Sequence, residues 1–226
     1  LGIITEIQLR LHPIPEVIRS AVCSFETLAG ATDTAINAMQ MAIPIARMEL
    51  LNALQMRACI EYSKLEGLTE KPTLFLEFHG SPSTVSEQIT LFEDICSEFG
   101  GNGFKWAETT EERNNLWAAR HNAYLAAHQL QPGCKVLTTD VCVPISQLAR
   151  SILQAEEDAE TSGLLCPIVG HVGDGNYHVL IVLDPLNAEQ QIKAKELSQK
   201  IVQNALALEG TCTGEHGIGI GKKSYL

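Results

Sequence analysis

The sequence predicts an α+β fold with a largely antiparallel sheet and helices on one face of that sheet. Strand and helix patterns alternate along the 226 residues without internal repeats or low-complexity segments. Two apolar runs, at 164–169 and 179–183, flank a Gly-Asp-Gly-Asn turn sequence. Strands joined by so short a turn pair as a hairpin, so part of the sheet must be antiparallel. A layer of helices buries the apolar face of such a sheet economically.

The first half of the chain divides into strands and helices in turn. Residues 3–11 alternate apolar and polar side chains with the period of a half-buried strand, and Pro13 and Pro15 end that pattern. The elements expected next are a strand at 17–25, a helix at 27–40, a mixed segment that is helical at 52–62, a strand at 73–78 and a helix at 84–99.

The second half continues the alternation up to a long final helix. The elements expected are a short strand at 103–107, a helix at 111–129, a strand at 136–143, a helix at 146–160, the hairpin and a helix at 188–208. The glycine-rich tail at 217–224 does not have the register of a phosphate-binding loop.

The composition fits a buried core and narrows the classes of partner. Hydrophobic residues make up 45% of the chain, yet no run of about 18 apolar residues occurs, so no membrane span is predicted. The net charge of -11 argues against a nucleic-acid surface and against attachment to an anionic membrane. The seven cysteines are scattered without a Cys-x-x-Cys pair, which indicates a reducing compartment and no disulfide framework.

Two glycine-flanked motifs predict a functional site. They are Gly-His-Val-Gly-Asp-Gly-Asn-Tyr-His at 170–178 and Gly-Glu-His-Gly at 214–217. The glycines argue against a helix between His171 and His178, and a tight turn would make these histidines direct cross-strand partners. Their imidazoles could then reach one divalent ion, with Glu215 as a third ligand. Three protein ligands leave a position open for substrate, as in catalytic metal sites.

Each part of this pattern also has a simpler interpretation. The Gly-Asp-Gly-Asn segment could be an ordinary hairpin turn, and Gly214 could simply end a helix or a strand. Neither interpretation accounts for histidine and carboxylate side chains beside both glycine clusters. Two other functions stay open at this point: a zinc hydrolase in which His216 acts on a bound water, and a non-catalytic binding module.

Together with residues 1–6, 116–123 and 139–144, the two motifs resemble those of the FAD-linked 2-hydroxyacid dehydrogenases, in particular the cytochrome-linked members. The resemblance covers nearly the whole chain. It implies that residues 1–15 form the last strand of an upstream FAD-binding domain. Residues 16–226 would form a substrate- and metal-binding domain of ferredoxin-like type that covers the flavin ring. The resemblance also implies a mitochondrial location, with any targeting segment upstream of these residues.

The resemblance further implies roles for individual residues. His216 would contact the substrate and take its hydroxyl proton, and Arg120 would bind its carboxylate, which a guanidinium matches with two donors. Without the resemblance, Arg120 is better interpreted as a solvated helix residue paired with Glu111 or Glu112. The residues expected to contact FAD are Ile3, Ile4, Glu215 and Gly217.

Two expectations depend on local geometry. Glu215 and His216 are adjacent and would point opposite ways on an extended chain, so both can serve one site only if the flanking glycines let the backbone twist. Asp174 and Asn176 could orient the two metal-binding histidines through their ring N–H groups. A turn role is at least an equal interpretation of both residues.

Two differences from the hydroxyglutarate-oxidising relatives predict a smaller substrate. Those relatives carry a lysine two residues before the aspartate that matches Asp140, and an asparagine two residues after the second histidine. Here these positions are Thr138 and Leu180. Both changes remove a group for a second carboxylate, so a monocarboxylate such as D-lactate is expected, with glycolate and hydroxyglutarate as alternatives. FAD, a zinc or manganese ion and an electron acceptor such as cytochrome c complete the expected partners.

Overall fold

The computed structural model describes residues 3–226, which form eight strands, seven α-helices and two short 3-10 turns. The strands are β1 (Val17–Phe25), β2 (Ile45–Leu51), β3 (Thr73–Gly80), β4 (Gly101–Trp106), β5 (Lys135–Thr138), β6 (Val141–Cys142), β7 (Ile168–His171) and β8 (Asn176–Leu183). The helices are α1 (Leu28–Gln40), α2 (Ala53–Ser63), α3 (Pro82–Glu98), α4 (Thr110–His121), α5 (Ala123–Gln129), α6 (Leu148–Ser162) and α7 (Ala188–Ala207).

One eight-stranded sheet organises the described residues. Its order is β4-β1-β3-β2-β7-β8-β5, and β6 also pairs with β8. Every strand pair described is antiparallel, so the predicted α+β fold with an antiparallel sheet is confirmed. The central position of β2 brings it beside β7, the strand that ends at His171.

Helices cover both faces of this sheet, whereas the sequence analysis expected them on one face. The longer helices α1, α3, α6 and α7 enclose the main apolar core. The shorter helices α2, α4 and α5 pack on a second cluster formed by the alternate side chains of the strands, such as Val22, Phe75 and Leu180. The reason lies in the strands: all eight residues of β8 are buried, so both of its sides need a cover.

Local side-chain chemistry sets several helix starts. Thr27 accepts a hydrogen bond from the backbone of Gly30 and so caps α1. At the start of α4, Thr109 and Glu112 form a reciprocal capping box. The helix expected at 111–129 is broken at Asn122, which separates α4 from α5 and leaves Arg120 in the last turn of α4.

Two other segments differ from the sequence expectation. The strand expected at 136–143 is interrupted at Thr139 and Asp140, which leave the ladder between β5 and β6. Strand β2 lies in the segment that was interpreted only as mixed, because Arg47 and Glu49 interrupt its apolar pattern. Both segments contribute to the site described below, through the side chain of Glu49 and the backbone carbonyl group of Thr139.

Residues 3–15 pair with no strand of the described chain. The aliphatic side chains of this segment are exposed, with Ile3 at 92% and Ile14 at 93%. A strand needs a hydrogen-bonding neighbour, so the alternating pattern alone does not produce one here. The expectation for residues 1–15 stays a prediction, and residues 1–2 lie outside the described residues. Within residues 3–226, none of the helices combines the length and apolar character that a bilayer crossing requires.

Candidate metal and substrate site

The two histidines of the first motif lie at the ends of neighbouring strands. His171 ends β7 and His178 lies near the start of β8. The ladder places His171 opposite Asn176 and Val169 opposite His178, so the expected direct cross-strand pairing of the histidines is wrong by two residues. The turn at 172–175, with Gly175 at φ +77°, sets this register. The histidines are instead diagonal neighbours on one face, with ring centroids 5.6 Å apart.

Glu215 approaches both imidazoles from the loop that follows α7. Its Oε1 lies 3.4 Å from Nε2 of His171 and 3.2 Å from Nε2 of His178. Two ligands each about 2.1 Å from a tetrahedral zinc ion are about 3.4 Å apart. Both contacts of Glu215 have about this spacing, and one ligand atom from each of the three proposed residues lies within 4.8 Å of the other two.

The other ring nitrogen of each histidine is held by a specific acceptor. Nδ1 of His171 lies 2.8 Å from Oε1 of Glu49, and Nδ1 of His178 lies 3.1 Å from the carbonyl oxygen of Thr139. Metal-binding histidines in proteins are oriented in this way, by a carboxylate or a backbone carbonyl on the far nitrogen. Both Nε2 atoms are thereby turned toward Glu215.

The residues proposed to orient the histidines do not do so. Asp174 is exposed, and its backbone N–H closes the turn on the carbonyl of His171. The buried side chain of Asn176 donates to Oδ1 of Asp140 and to the carbonyl of Val141. Glu49 and Thr139 take the orienting role instead. Sequence reasoning missed both roles. Glu49 belongs to no recognised motif, and although Thr139 lies in the segment 139–144 that carries the family resemblance, the group that acts is a backbone carbonyl, which every residue has.

The surroundings shift the pKa values of this group in opposite directions. Burial lowers the pKa of His178, which favours the neutral imidazole that binds metal ions. The hydrogen bond that His171 donates to Glu49 raises the pKa of His171, although burial opposes it. Burial raises the pKa of Glu49, but the contacts with His171 and Arg120 outweigh it and leave the pKa below its usual value.

Arg120 reaches the same site from the end of α4. Its Nε and one Nη donate to Oε2 of Glu49 at 3.1 and 2.7 Å, while the other Glu49 oxygen holds His171. The alternative pairing of Arg120 with the first turn of its own helix is therefore not what forms, since Glu112 caps that helix. Arg120 and His171 are therefore linked through one carboxylate.

A cavity of about 380 Å³ joins these groups. Its wall includes Arg120, Tyr124, Thr138, His171, His178, Leu180, Glu215 and His216. A larger cavity of about 870 Å³ lies between α2, β4 and α4, but no histidine lines it. The smaller cavity is the candidate site, because the chemically competent side chains converge there.

His216 completes one wall of this cavity. Its ring stacks on that of His178 with centroids 4.9 Å apart, and its Nε2 lies 3.7 Å from Oε1 of Glu215. The twist expected between Glu215 and His216 is present, so both adjacent side chains face the site. Gly217 follows in the left-handed region at φ +79°, where glycine is favoured.

Replacing Glu49 by alanine should lower the free energy of unfolding by about 3 kcal/mol. The Arg120 side chain is only 11% exposed, and the substitution would leave its charge buried without a partner. Urea denaturation of the chain measures the change. The matched control is Glu26→Ala, which breaks the exposed ion pair with Lys71 and should leave stability almost unchanged. Equal results for the two variants would contradict the role given to Glu49.

The fold of this chain is shared with a solved oxidase and a solved synthase. It matches 4-ethylphenol oxidase from Gulosibacter chungangensis with a TM-score of 0.66 and 13% identity, over 89% of this chain and 46% of that one. It matches an alkyldihydroxyacetonephosphate synthase with a TM-score of 0.62 and 15% identity, over 88% of this chain and 41% of that one. At these identities the likeness establishes the fold alone.

Sequence comparison identifies the family within this fold. The family described as FAD linked oxidases, C-terminal domain, matches residues 14–226, and the chain belongs to it. The resemblance drawn from the motifs is thus confirmed.

Curated relatives match the chain over its whole length. A probable mitochondrial D-lactate dehydrogenase of Danio rerio is 47% identical over 100% of this chain and 45% of the relative. A mitochondrial D-lactate dehydrogenase (cytochrome) of Arabidopsis thaliana is 43% identical over 100% of this chain and 40% of the relative. Glycolate oxidase subunit GlcD of Bacillus subtilis is 30% identical over 100% of this chain and 48% of the relative. The chain therefore spans less than half the length of these relatives.

Proposed function

We propose that the protein containing this chain oxidises a D-2-hydroxyacid, with D-lactate the favoured substrate, to the 2-keto acid. Electrons would pass to FAD and then to an acceptor such as cytochrome c, in mitochondria. The names of the relatives support this reaction class. The observation that carries the proposal is the convergence of His171, His178 and Glu215 on one point beside Arg120 and His216.

The ligands proposed for a divalent ion are His171, His178 and Glu215. Their nitrogen and oxygen donors are compatible with both zinc and manganese, and the far nitrogens of both histidines are already engaged. These three residues are therefore suitable ligands for a divalent metal ion. When bound, such an ion lowers the pKa of a substrate hydroxyl, and FAD accepts the electrons of the oxidation.

The remaining roles belong to the chain's own side chains. Arg120 binds the substrate carboxylate with Nη1, which donates no hydrogen bond to Glu49 because that carboxylate accepts from Nε and the other Nη. His216 takes the hydroxyl proton at a ring nitrogen. Its side chain is 47% exposed, so the proton can pass on to solvent.

The proposed contacts with FAD follow from the family and from exposure. Glu215 and Gly217 are exposed, and no heavy atom lies within 4 Å of a Cβ placed on Gly217, so a flat ring could approach this backbone. Ile3 and Ile4 belong to the exposed segment 3–15, proposed as the last strand of the flavin domain, with residues 16–226 as the substrate and metal domain. Pairing with that domain would bury the exposed aliphatic side chains.

Lactate is favoured over hydroxyglutarate by two neighbouring side chains. Thr138 and Leu180 are paired directly across β5 and β8, and both line the cavity. Leu180 is 3% exposed and offers only methyl groups. A second carboxylate would be desolvated there without a donor or a positive charge, which is costly.

Introducing the missing polar groups should shift the substrate preference. The double variant Thr138→Lys with Leu180→Asn is expected to raise kcat/KM for D-2-hydroxyglutarate by about tenfold and to lower it for D-lactate, since one charge-assisted hydrogen bond contributes about 1.5–3 kcal/mol. The exposed neighbour Leu137→Lys is the control. A wild-type protein that already turns over hydroxyglutarate faster than lactate would contradict the argument.

The reaction itself is tested by anaerobic reduction of the flavin in the full-length protein. D-lactate should bleach the flavin absorption, whereas L-lactate should do so far more slowly. A protein without flavin that hydrolyses esters or amides would instead be a metal hydrolase using the same ligands. A flavoprotein that no 2-hydroxyacid reduces would also contradict the proposal.

A further inference from the structure

Asp140 has a role that the proposed reaction does not assign. It lies at the interruption between β5 and β6, and its side chain is completely buried. Its carboxylate accepts hydrogen bonds from the Asn176 side chain at 2.9 Å, the Thr213 hydroxyl at 2.7 Å, and the backbone N–H groups of Gly214 at 2.9 Å, Glu215 at 3.1 Å and His216 at 2.9 Å.

Three of these donors are consecutive backbone amides. Successive N–H groups that converge in this way form a concave anion-binding nest, which here holds a carboxylate of the same chain. Gly214 makes the close approach feasible, since a Cβ at this position would lie 2.0 Å from Nδ2 of Asn176. The loop that carries Glu215 and His216 is therefore bound to Asp140 by its main chain.

Asp140 could itself be considered a metal ligand, since it groups with His178 and His216. Its hydrogen bonds argue against this role. An ionised carboxylate offers about four lone-pair positions, and five donors already occupy them. Burial raises the pKa of Asp140, but the hydrogen bonds from Thr213, Asn176 and the loop lower it well below its usual value, so the carboxylate is ionised.

The residue before Asp140 contacts the strand β8, which carries His178. The carbonyl of Thr139 accepts from Nδ1 of His178, while the adjacent Asp140 binds the loop of Glu215 and His216. Lys222 adds a third connection, because its Nζ donates to the carbonyl of Asp140 at 3.0 Å. Thr139 and Asp140 together therefore connect His178 on β8 with the loop that carries Glu215 and His216.

We propose that Asp140 is a positioning residue, whose carboxylate folds the 213–216 loop so that Glu215 and His216 face His171 and His178. The consequence for metal binding rests on the proposed function. The fixing of the loop does not, because it concerns only hydrogen bonds within the chain.

Hydrogen exchange of the loop amides tests this directly in the chain without added metal. In Asp140→Asn an amide N–H₂ replaces one acceptor oxygen, so exchange at residues 214–216 should accelerate at least about tenfold. Amides in β8 should keep their protection. The control Asp158→Asn alters another buried, hydrogen-bonded aspartate, on α6, and should leave the loop unchanged. Wild-type loop exchange in Asp140→Asn, with β8 still protected, would overturn the proposal.

A milder variant decides the case in which Asp140→Asn does not fold. Thr213→Val removes one donor to the carboxylate and should accelerate exchange at 214–216 about threefold. Exchange at the wild-type rate would then count against Asp140 as the restraint on this loop.

Metal titration separates this inference from the proposed function. If the wild-type chain binds zinc or manganese, Asp140→Asn should weaken the Kd about tenfold, as for other changes outside the ligands. An unchanged Kd beside faster loop exchange would overturn the claim that the loop's position matters for the metal. If wild type binds neither ion, the metal part of the proposed function fails, and loop exchange still decides whether Asp140 positions the loop.

Discussion

Replacing His216 by glutamine should slow the reduction of flavin by D-lactate by about 10² to 10⁴ fold, the usual contribution of a general base. His216 lines the cavity, stacks on His178 and has a side chain that is 47% exposed. Glutamine keeps a polar side chain of similar length but cannot accept and release a proton near neutral pH. The measurement is the single-turnover rate of flavin bleaching in the full-length protein under anaerobic conditions.

Metal content and a matched histidine variant make this result specific. His216 is not among the proposed ligands, so the variant should retain the metal of the wild type. His128→Gln changes an exposed histidine on α5 that does not line the cavity, and it should leave the rate unchanged. If His216→Gln reduced flavin at the wild-type rate, the base would have to be another group, and a non-catalytic role for this loop would regain support.

Replacing His178 by alanine should abolish stoichiometric metal binding by this chain. Structural zinc sites gain about 10–16 kcal/mol from four ligands, so one ligand contributes about 3 kcal/mol, or on the order of a hundredfold in Kd. His178 also contributes the contact with the carbonyl of Thr139, so the substitution removes both the ligand and its orientation. Elemental analysis and anomalous scattering would give the amount, identity and position of the ion.

The metal content of the wild type and of the variants tests the ligand assignment. Metal present in the wild type and lost in His178→Ala would show that the ligand set assembles without a flavin domain. His128→Ala should keep the metal. Metal absent from both wild type and variant would call for the same analysis of the full-length protein. Its absence there as well would contradict the assignment of His171, His178 and Glu215 as ligands.

Local pattern in the sequence predicted most of the elements. The strand at 17–25 has the predicted limits, and the predicted helices at 27–40 and 188–208 agree with α1 and α7 to within one residue at each end. These elements have continuous periodicity and clear caps, which depend on neighbouring residues only. The break at Asn122 was missed. The break at Thr139–Asp140 was also missed, because both residues there make hydrogen bonds with distant parts of the chain.

The sequence by itself determined the family, the antiparallel hairpin and the residues that converge in the cavity, because the glycine-flanked motifs are local and specific. Only the tertiary structure showed which groups hold these side chains in position. Glu49 is 122 positions from His171, and Asp140 is 76 positions from His216, yet each pair is hydrogen-bonded. Nothing near Glu49 in the chain marks such a contact, and the segment 139–144, although it carries the family resemblance, does not indicate which groups Asp140 would bind. Buried carboxylates become recognisable only when folding brings their donors to them, since the cost of burying a charge must be met by partners from elsewhere in the chain.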